Sequence, residues 1–278
     1  MKTALIQISS SDDPAANLDM VLGMIAQAAA AGAEFILTPE VTNCISTNRA
    51  HQLDVLHPQD QDITLAGLRA AAQAHGVWLL IGSLALKAET ADVPFVNRSF
   101  LVAPDGGIAA QYDKIHMFDV DLQGDQSYRE SAAFHPGDRA VLAQMPFGGL
   151  GMTICYDLRF PYLYRHLAQS GAQVITVPAA FSPATGAAHW HVLLRARAIE
   201  TGAYILAPAQ CGTHAARSGT SRRTYGHSLI VAPWGEVLAE AGTDPCILYA
   251  DLDMAQVQMA RSQVPSLRHD RDFMKVPE

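Results

Sequence analysis

Cysteine is scarce in this chain: Cys44, Cys155, Cys211 and Cys246 are the four among 278 residues, widely spaced and without a C-x-x-C pair. That spacing argues against a zinc ribbon and a disulfide scaffold, so reduced thiols in a cytoplasm are expected. Positive charge is also short, nineteen Lys plus Arg against twenty-seven Asp plus Glu, for a formal net charge of -8. A non-specific grip on phosphate backbones needs a basic field, so nucleic acid is not an expected partner. No run approaches the roughly 18 apolar residues of a membrane span, and the apolar stretch at residues 1–8 is too short for a signal peptide. No membrane partner is expected. There is no G-x-x-x-x-G-K-[ST], no G-x-G-x-x-G after a strand and, among eleven histidines, no H-E-x-x-H. Neither a cofactor nor a metal site is expected.

What the chain does have is enough length for a large core and a long internal echo. At this size a folded chain buries roughly three quarters of the surface its unfolded form exposes. Gly32-Ala33-Glu34-Phe35-Ile36-Leu37-Thr38-Pro39 is answered by Gly171-Ala172-Gln173-Val174-Ile175-Thr176-Val177-Pro178, each after a helical stretch. The Gly reads as a helix stop and the run behind it as a buried strand. Gly76 to Leu84, after the helix pattern Leu65 to His75, is answered by Gly202 to Gln210, after His189 to Thr201. Ser99 to Gly106 is answered by Ser228 to Gly235, with Pro and Gly placed for a turn between antiparallel strands. Opening strands at Ala4 to Ile8 and Gly151 to Ile154 complete two similar halves, with Gly148 to Gly151 read as a turn.

The pattern predicts an α/β fold: a four-layer α-β-β-α sandwich with an internal pseudo-twofold repeat. Neither half could cover its sheet alone, so residues 1–278 are expected to form a single domain.

Reactive groups in α/β folds cluster beyond the carboxyl ends of strands. Three polar residues sit there. Glu40 follows the strand ending at Pro39, Cys155 follows the strand ending at Ile154, and Lys114 follows the strand Ile108 to Tyr112. A thiol on a strand-to-helix turn is expected to meet helix-end potential that favours the thiolate, and an ammonium can stabilise an oxyanion. Singly, each has a plain alternative: a small buried hydrophobe for Cys155, a turn cap for Glu40, a solvated charge for Lys114. Their common placement at strand exits is what distinguishes them.

Thr38-Pro39-Glu40, Tyr112-Asp113-Lys114-Ile115-His116 and Ile154-Cys155-Tyr156-Asp157-Leu158-Arg159-Phe160-Pro161 resemble the three motifs of the nitrilase superfamily of carbon-nitrogen hydrolases. The resemblance covers nearly the whole chain and implies a Glu-Lys-Cys triad on an α-β-β-α sandwich. It also implies that Glu130, in Tyr128-Arg129-Glu130-Ser131, supports the triad. Phe118 to Asp121, Leu193 to Glu200, Ala209 to Gly212 and Tyr225 to Ser228 are most similar to the deaminated glutathione amidases. The related ω-amidases, acting on 2-oxoglutaramate, share the triad and some of these stretches.

The activity so implied is thiol-dependent cleavage of a small carboxylate-bearing amide to acid plus ammonia through a Cys155 thioester. Arg159 stands four residues after the nucleophile, close enough to meet a substrate carboxylate; an ion pair with Asp157 is the alternative. An inactive scaffold would show a broken triad, and a metal-dependent amidohydrolase would respond to a chelator rather than to iodoacetamide. Family members are commonly dimers or larger, so a homo-oligomer is expected, with Leu193 to Ile199 suited to its interface. The Asn43 to Pro58 segment is read as a loop lining the pocket.

Overall fold

The computed structural model describes residues 1–88, 93–122, 126–217, 220–274 and 276. Strands β1 Lys2–Gln7, β2 Phe35–Leu37, β3 Trp78–Lys87, β4 Phe95–Val102 and β5 Ile108–Asp113 are followed by β6 Val141–Met145, β7 Gly148–Met152, β8 Ala172–Thr176 and β9 Tyr204–Ala207. The last three are β10 Leu229–Val231, β11 Val237–Glu240 and β12 Cys246–Asp251. One sheet runs β12-β1-β2-β3-β4-β5, with the short strand Phe134–His135 paired to β4; the other runs β11-β10-β9-β8-β7-β6. Small hairpins at Asp119–Leu122 with Gln126–Arg129 and at Cys211–Thr213 with Arg223–Tyr225 stand apart.

The two sheets share one pairing pattern. In the first, β12 is antiparallel to β1, β1–β2–β3 run parallel, and β4 and β5 return antiparallel. In the second, β6 is antiparallel to β7, β7–β8–β9 run parallel, and β10 and β11 return antiparallel. One register slip coincides as well, at Leu101/Val102 and at Ile230/Val231. The echo of the sequence is thus an echo of topology.

The helices that cover the sheets are α1 Pro14–Ala30, α2 Ile63–His75, α3 Pro161–Gln169 and α4 His191–Thr201. Asp13 caps α1 by accepting from the N–H groups of Ala15 and Ala16, with Pro14 at the first turn; α2 stops at Gly76, whose φ of 64° is left-handed. Side chains alternate across a strand, and the first sheet sorts accordingly. Ala4, Ile6, Ile36, Leu79 and Ile81 join Val21 and Ile25 of α1 and Leu65 and Leu68 of α2. Leu5, Phe35, Leu37 and Leu80 instead join Leu150, Met152 and Val174 of the second sheet, with Leu163 of α3 and Leu194 of α4. The first sheet thus turns one face to α1 and α2 and the other to the second sheet.

Three expected boundaries move. The second half opens on β7 at Gly148 rather than at Gly151, because the glycines pair with β6 instead of turning. At Gly149 a Cβ would stand 2.5 Å from the Gly171 carbonyl oxygen, a closeness only glycine permits. The helix expected from His189 begins as α4 at His191, preceded by a wider turn at Gly186–Trp190. The Asn43 to Pro58 segment contains a short helix, Arg49–Val55, capped by Asn48. Among the described residues no helix is long and apolar enough to cross a membrane.

Candidate active site

Glu40 lies three residues past β2 in a pinned turn. Thr42 Oγ1 donates to the Pro39 carbonyl at 2.7 Å, and the N–H of Val41 donates to Ser83 Oγ at 2.8 Å. Val41 is held at φ 46° and Cys155 at φ 50°, left-handed values that are outliers for a β-branched residue and unusual for a cysteine. Cys155 opens a one-turn helix, Cys155–Arg159, and its N–H donates to the Pro178 carbonyl at 2.9 Å. Lys114 leaves β5 with its N–H on the Asn97 carbonyl. The three strand exits therefore converge.

Lys114 sits at the centre, 2% exposed. Its Nζ donates to Glu40 Oε1 at 2.9 Å and to Glu130 Oε1 and Oε2 at 3.0 and 2.8 Å. Glu130 also accepts from the Phe118 N–H at 2.7 Å, and Glu40 Oε2 from the Ala180 N–H at 2.8 Å. Burial alone would raise Glu40, but the charge and hydrogen bond of Lys114, helped by the Cys155 thiol and Arg222, hold it below the usual carboxylate value. Burial opposes the charge of Lys114, yet Glu130 and then Glu40 offset this and keep it protonated far into the alkaline range.

The cysteine differs from expectation. Burial pushes the Cys155 thiol well up and the negative Glu40 pushes it further, against the pull of Lys114. At rest the site is a neutral thiol beside an ionised carboxylate, not a preformed thiolate. The helix-end argument loses because Cys155 is buried and the Glu40 carboxylate lies within hydrogen-bond reach of the sulfur.

Asn97 escaped sequence reasoning. Its Nδ2 donates to Glu40 Oε1 at 3.0 Å and to Glu130 Oε1 at 3.4 Å, tying the two acids together. The available signal was a polar residue, buried at 2% exposure, in the strand β4 that leads to the site. Asp157 is the second such residue. Fully buried, it accepts from the Tyr112 hydroxyl at 2.7 Å, the His116 N–H at 3.0 Å, His116 Nδ1–H at 2.6 Å and the Ile154 N–H at 2.9 Å. It thereby clamps the segment carrying Lys114 to the segment carrying Cys155.

Asp157 is therefore not paired with Arg159. The Arg159 guanidinium lies 3.3 Å from His189 Nδ1 and over the rings of Tyr156 and Phe181. It stands behind two aromatic residues of the pocket wall and is not itself among the lining residues. The cavity, of about 300 Å³, reaches Glu40, Lys114, Glu130 and Cys155 and is walled by Phe118, Tyr128 and Tyr156. Its cationic lining residues are Arg49, Lys114, Arg129 and Arg222, against the acids Glu40 and Glu130. Cys44, Ile45 and Gln52 of the Asn43 to Pro58 segment also line it. Burial pushes the Cys44 thiol up to about 12, which keeps it inert. Among the described residues no group of three or more His, Cys, Asp or Glu side chains is placed to hold a metal ion.

Residues 2–262 match the family model described as carbon-nitrogen hydrolase. A deaminated glutathione amidase of Yersinia enterocolitica is 38% identical over 273 residues, spanning 96% of this chain and 92% of that protein. The crystal structure of the Caenorhabditis elegans NitFhit protein superposes with a TM-score of 0.89 at 34% identity, over 97% of this chain and 65% of that one, so this chain spans about two thirds of that protein. An amidase from Nesterenkonia sp. AN1, in a mutant showing Michael addition of acrylamide at its active-site cysteine, superposes with a TM-score of 0.77 at 27% identity, over 95% and 98% of the two chains. With a family model spanning nearly its whole length, the chain belongs to the carbon-nitrogen hydrolase family and is a hydrolase acting on carbon-nitrogen bonds.

Proposed function

We propose that the protein hydrolyses deaminated glutathione, with Cys155 as nucleophile, Glu40 as general acid and base, and Lys114 as oxyanion stabiliser positioned by Glu130. The observation that carries the chemistry is the buried chain Glu130–Lys114–Glu40 beside a neutral Cys155 thiol. The relative's name supports the substrate, and a pocket richer in cations than in acids suits a substrate bearing carboxylates.

In the proposed sequence Glu40 takes the thiol proton as sulfur attacks the carbonyl carbon. Lys114 and the N–H of Tyr156 hold the oxyanion. The carbon-nitrogen bond breaks as protonated Glu40 gives its proton to the leaving nitrogen, and a thioester remains. Glu40 then takes a proton from water, the hydroxyl attacks the thioester, the carbon-sulfur bond breaks and the thiol is restored. The depressed Glu40 and elevated Cys155 pKa values fit this order: the base is free and the proton waits on sulfur.

Deaminated glutathione carries no primary amide. Its 2-oxoglutaryl group is joined to cysteinylglycine by a secondary amide, so the departing group is a peptide amine rather than the ammonia expected from the sequence. This makes the test clean. The enzyme incubated with deaminated glutathione should release 2-oxoglutarate and cysteinylglycine in equal amounts, faster than it releases ammonia from 2-oxoglutaramate. A higher kcat/KM for 2-oxoglutaramate, an N-carbamoyl amino acid or a simple nitrile would overturn the assignment. The reading includes a cytoplasmic location, supported by four free cysteines, and checked by fractionation. It also includes self-association, supported by exposed Val192 and Ile199 on α4 and Trp234 in the β10–β11 turn; a monomer in sedimentation velocity would count against it.

A further inference from the structure

We infer that Arg49 and Arg222 form the carboxylate-binding subsite of the pocket, so that substrate acidity is read by two loops from opposite halves of the chain. The inference rests on the proposed hydrolysis of a carboxylate-bearing amide and names the residues that would select it.

The two arginines are brought together by a contact between their loops. Thr47 Oγ1 lies 3.0 Å from the Thr220 carbonyl oxygen, to which it donates, and 3.3 Å from Thr220 Oγ1. Arg49 stands two residues beyond one end of that contact and Arg222 two residues beyond the other, both on the cavity lining. Neither is bound up in an ion pair among the described residues. Arg49 Nη1 donates to the neutral Gln52 Oε1 at 2.9 Å, and its guanidinium lies over the Phe95 ring at 5.2 Å. Arg222 Nη2 donates to the Ala180 carbonyl at 2.8 Å. Neither meets a carboxylate within salt-bridge distance among the described residues, and each keeps guanidinium donors in reserve. Ser182, two residues on from Ala180 and also on the lining, has a buried hydroxyl without a partner among the described residues.

The other two cations of the lining are already paired with carboxylates. Lys114 is shared between Glu40 and Glu130. Arg129 holds both oxygens of Asp121, at 2.8 and 2.9 Å. Arg159 contacts the His189 imidazole and is not on the cavity lining. An arginine fork recognises a carboxylate bidentately, and in a partly desolvated pocket such a charge-assisted pair discriminates strongly against an uncharged analogue.

Arg222 is anchored through Ala180, the residue whose N–H holds Glu40, so its end of the subsite adjoins the chemistry, while Arg49 lies on the helix at the rim. A carboxylate could reach this subsite from the acyl side or from the leaving side of the scissile amide, and the products separate the two sources. Binding of 2-oxoglutarate and of cysteinylglycine is measured by calorimetry on wild type, Arg49→Gln, Arg222→Gln and the remote control Arg69→Gln. Arg69 donates to the Gly106 carbonyl, outside the pocket. Each pocket variant should weaken one of the two products by about tenfold or more, as expected for loss of a hydrogen-bonded charge, and should raise KM for the intact amide by a similar factor with less effect on kcat. Weakening of 2-oxoglutarate assigns the subsite to the acyl side; weakening of cysteinylglycine assigns it to the leaving side. Unchanged affinities for both products in both pocket variants, an equal loss in Arg69→Gln, or no binding of either product to wild type at millimolar concentration would overturn the inference. If another carboxylate-bearing amide proves the better substrate and its KM still rises in the variants, the substrate assignment fails while the subsite stands.

Discussion

The two halves of the chain have one topology and unequal chemistry. Laying Gly32–Pro39 on Gly171–Pro178 puts Glu40 opposite Ala179. The parallel registers, Thr3 beside Phe35 and Leu150 beside Val174, put Cys155 opposite Ile8. Extending the third echo puts Lys114 opposite Thr243. Where one member of each pair belongs to the proposed triad, two of the opposite members are used for backbone pairing: Ile8 bridges Gln210 and Ala179 bridges Ala209. The duplicated frame supplies two sets of strand exits, and the proposed triad is mixed, with Glu40 and Lys114 from the first half and Cys155 from the second. A site of this kind forms only when the halves are locked together, so the seam between them matters as much as the reactive groups.

The sharpest test of that asymmetry compares equivalent exits. Cys155→Ala is expected to abolish turnover while the thermal unfolding temperature stays near wild type, since a small buried side chain is exchanged for another. Ile8→Val, at the matching place in the other half, should do the reverse: about 1 kcal/mol lost in urea unfolding, as for a typical buried Ile→Val, with kcat retained. Glu40→Gln should slow turnover by about 10²- to 10⁴-fold, the usual worth of a general base, and intact-mass spectrometry should find the accumulated thioester. A Cys155→Ala protein that still turned over substrate at near wild-type rate would end the proposed mechanism.

Much of this arrangement was legible in the residues. The echoes carry the repeat because helix-stopping glycines and apolar runs are local signals, and Glu40, Lys114 and Cys155 stand at exits those signals define. Gly148 to Gly151 misled for the same local reason: glycine reads as a turn, and only the neighbouring Gly171 carbonyl shows why a strand there must lack side chains. The state of the thiol was beyond sequence reasoning, because it depends on a carboxylate 115 residues away in the chain. Asn97 and Asp157 are polar residues whose partners come from other strands, so composition and period say nothing of them. Arg159 was singled out by nearness in sequence to Cys155, whereas Arg49 and Arg222 reach the pocket from distant loops.

The seam itself offers the next largest effect. Gly82 in β3 lies where the first half crosses the second; a Cβ there would stand 2.0 Å from the Thr38 carbonyl oxygen, 2.5 Å from that of Pro39 and 2.6 Å from Pro178 Cβ. Its counterpart in the second half is Pro208, whose carbonyl accepts from the Ala179 N–H. Two of the three colliding atoms are backbone oxygens in the turn that presents Glu40, so relief requires that turn to move. Gly82→Ala is expected to lower stability by about 2–3 kcal/mol, as overpacking does. It should also reduce kcat, since a small displacement of a reacting group is catalytically expensive. The same substitution at Gly23, where a Cβ meets nothing within 4 Å, is the control. Equal melting temperatures and equal kcat for the two variants would remove Gly82 from the seam.

The smallest effect concerns the loop that follows a hairpin strand of the second half. His214 follows the first strand of the hairpin Cys211–Thr213 with Arg223–Tyr225 and reaches back across the seam. Its Nδ1–H donates to the Ser10 carbonyl at 2.8 Å, and its Nε2 accepts from Thr224 Oγ1 at 2.8 Å. Burial, and less strongly the charge of Arg222, lower its pKa to about 4, against the hydrogen bond to Ser10. The folded protein therefore keeps this histidine neutral where the unfolded chain takes up a proton, so between about pH 6.5 and pH 4 stability falls as pH falls. At pH 5.5 the loss amounts to about 1 kcal/mol relative to neutral pH. The depressed Glu40 has the same sign but acts only below the usual carboxylate range, so it does not enter at pH 5.5. Urea unfolding at pH 7.0 and 5.5 should show this decrement in wild type and not in His214→Gln, whatever stability that variant has at neutral pH. An undiminished decrement in the variant, or an NMR titration placing the His214 imidazole near pH 6.5 in the native protein, would show that the hairpin does not hold a neutral histidine across the seam.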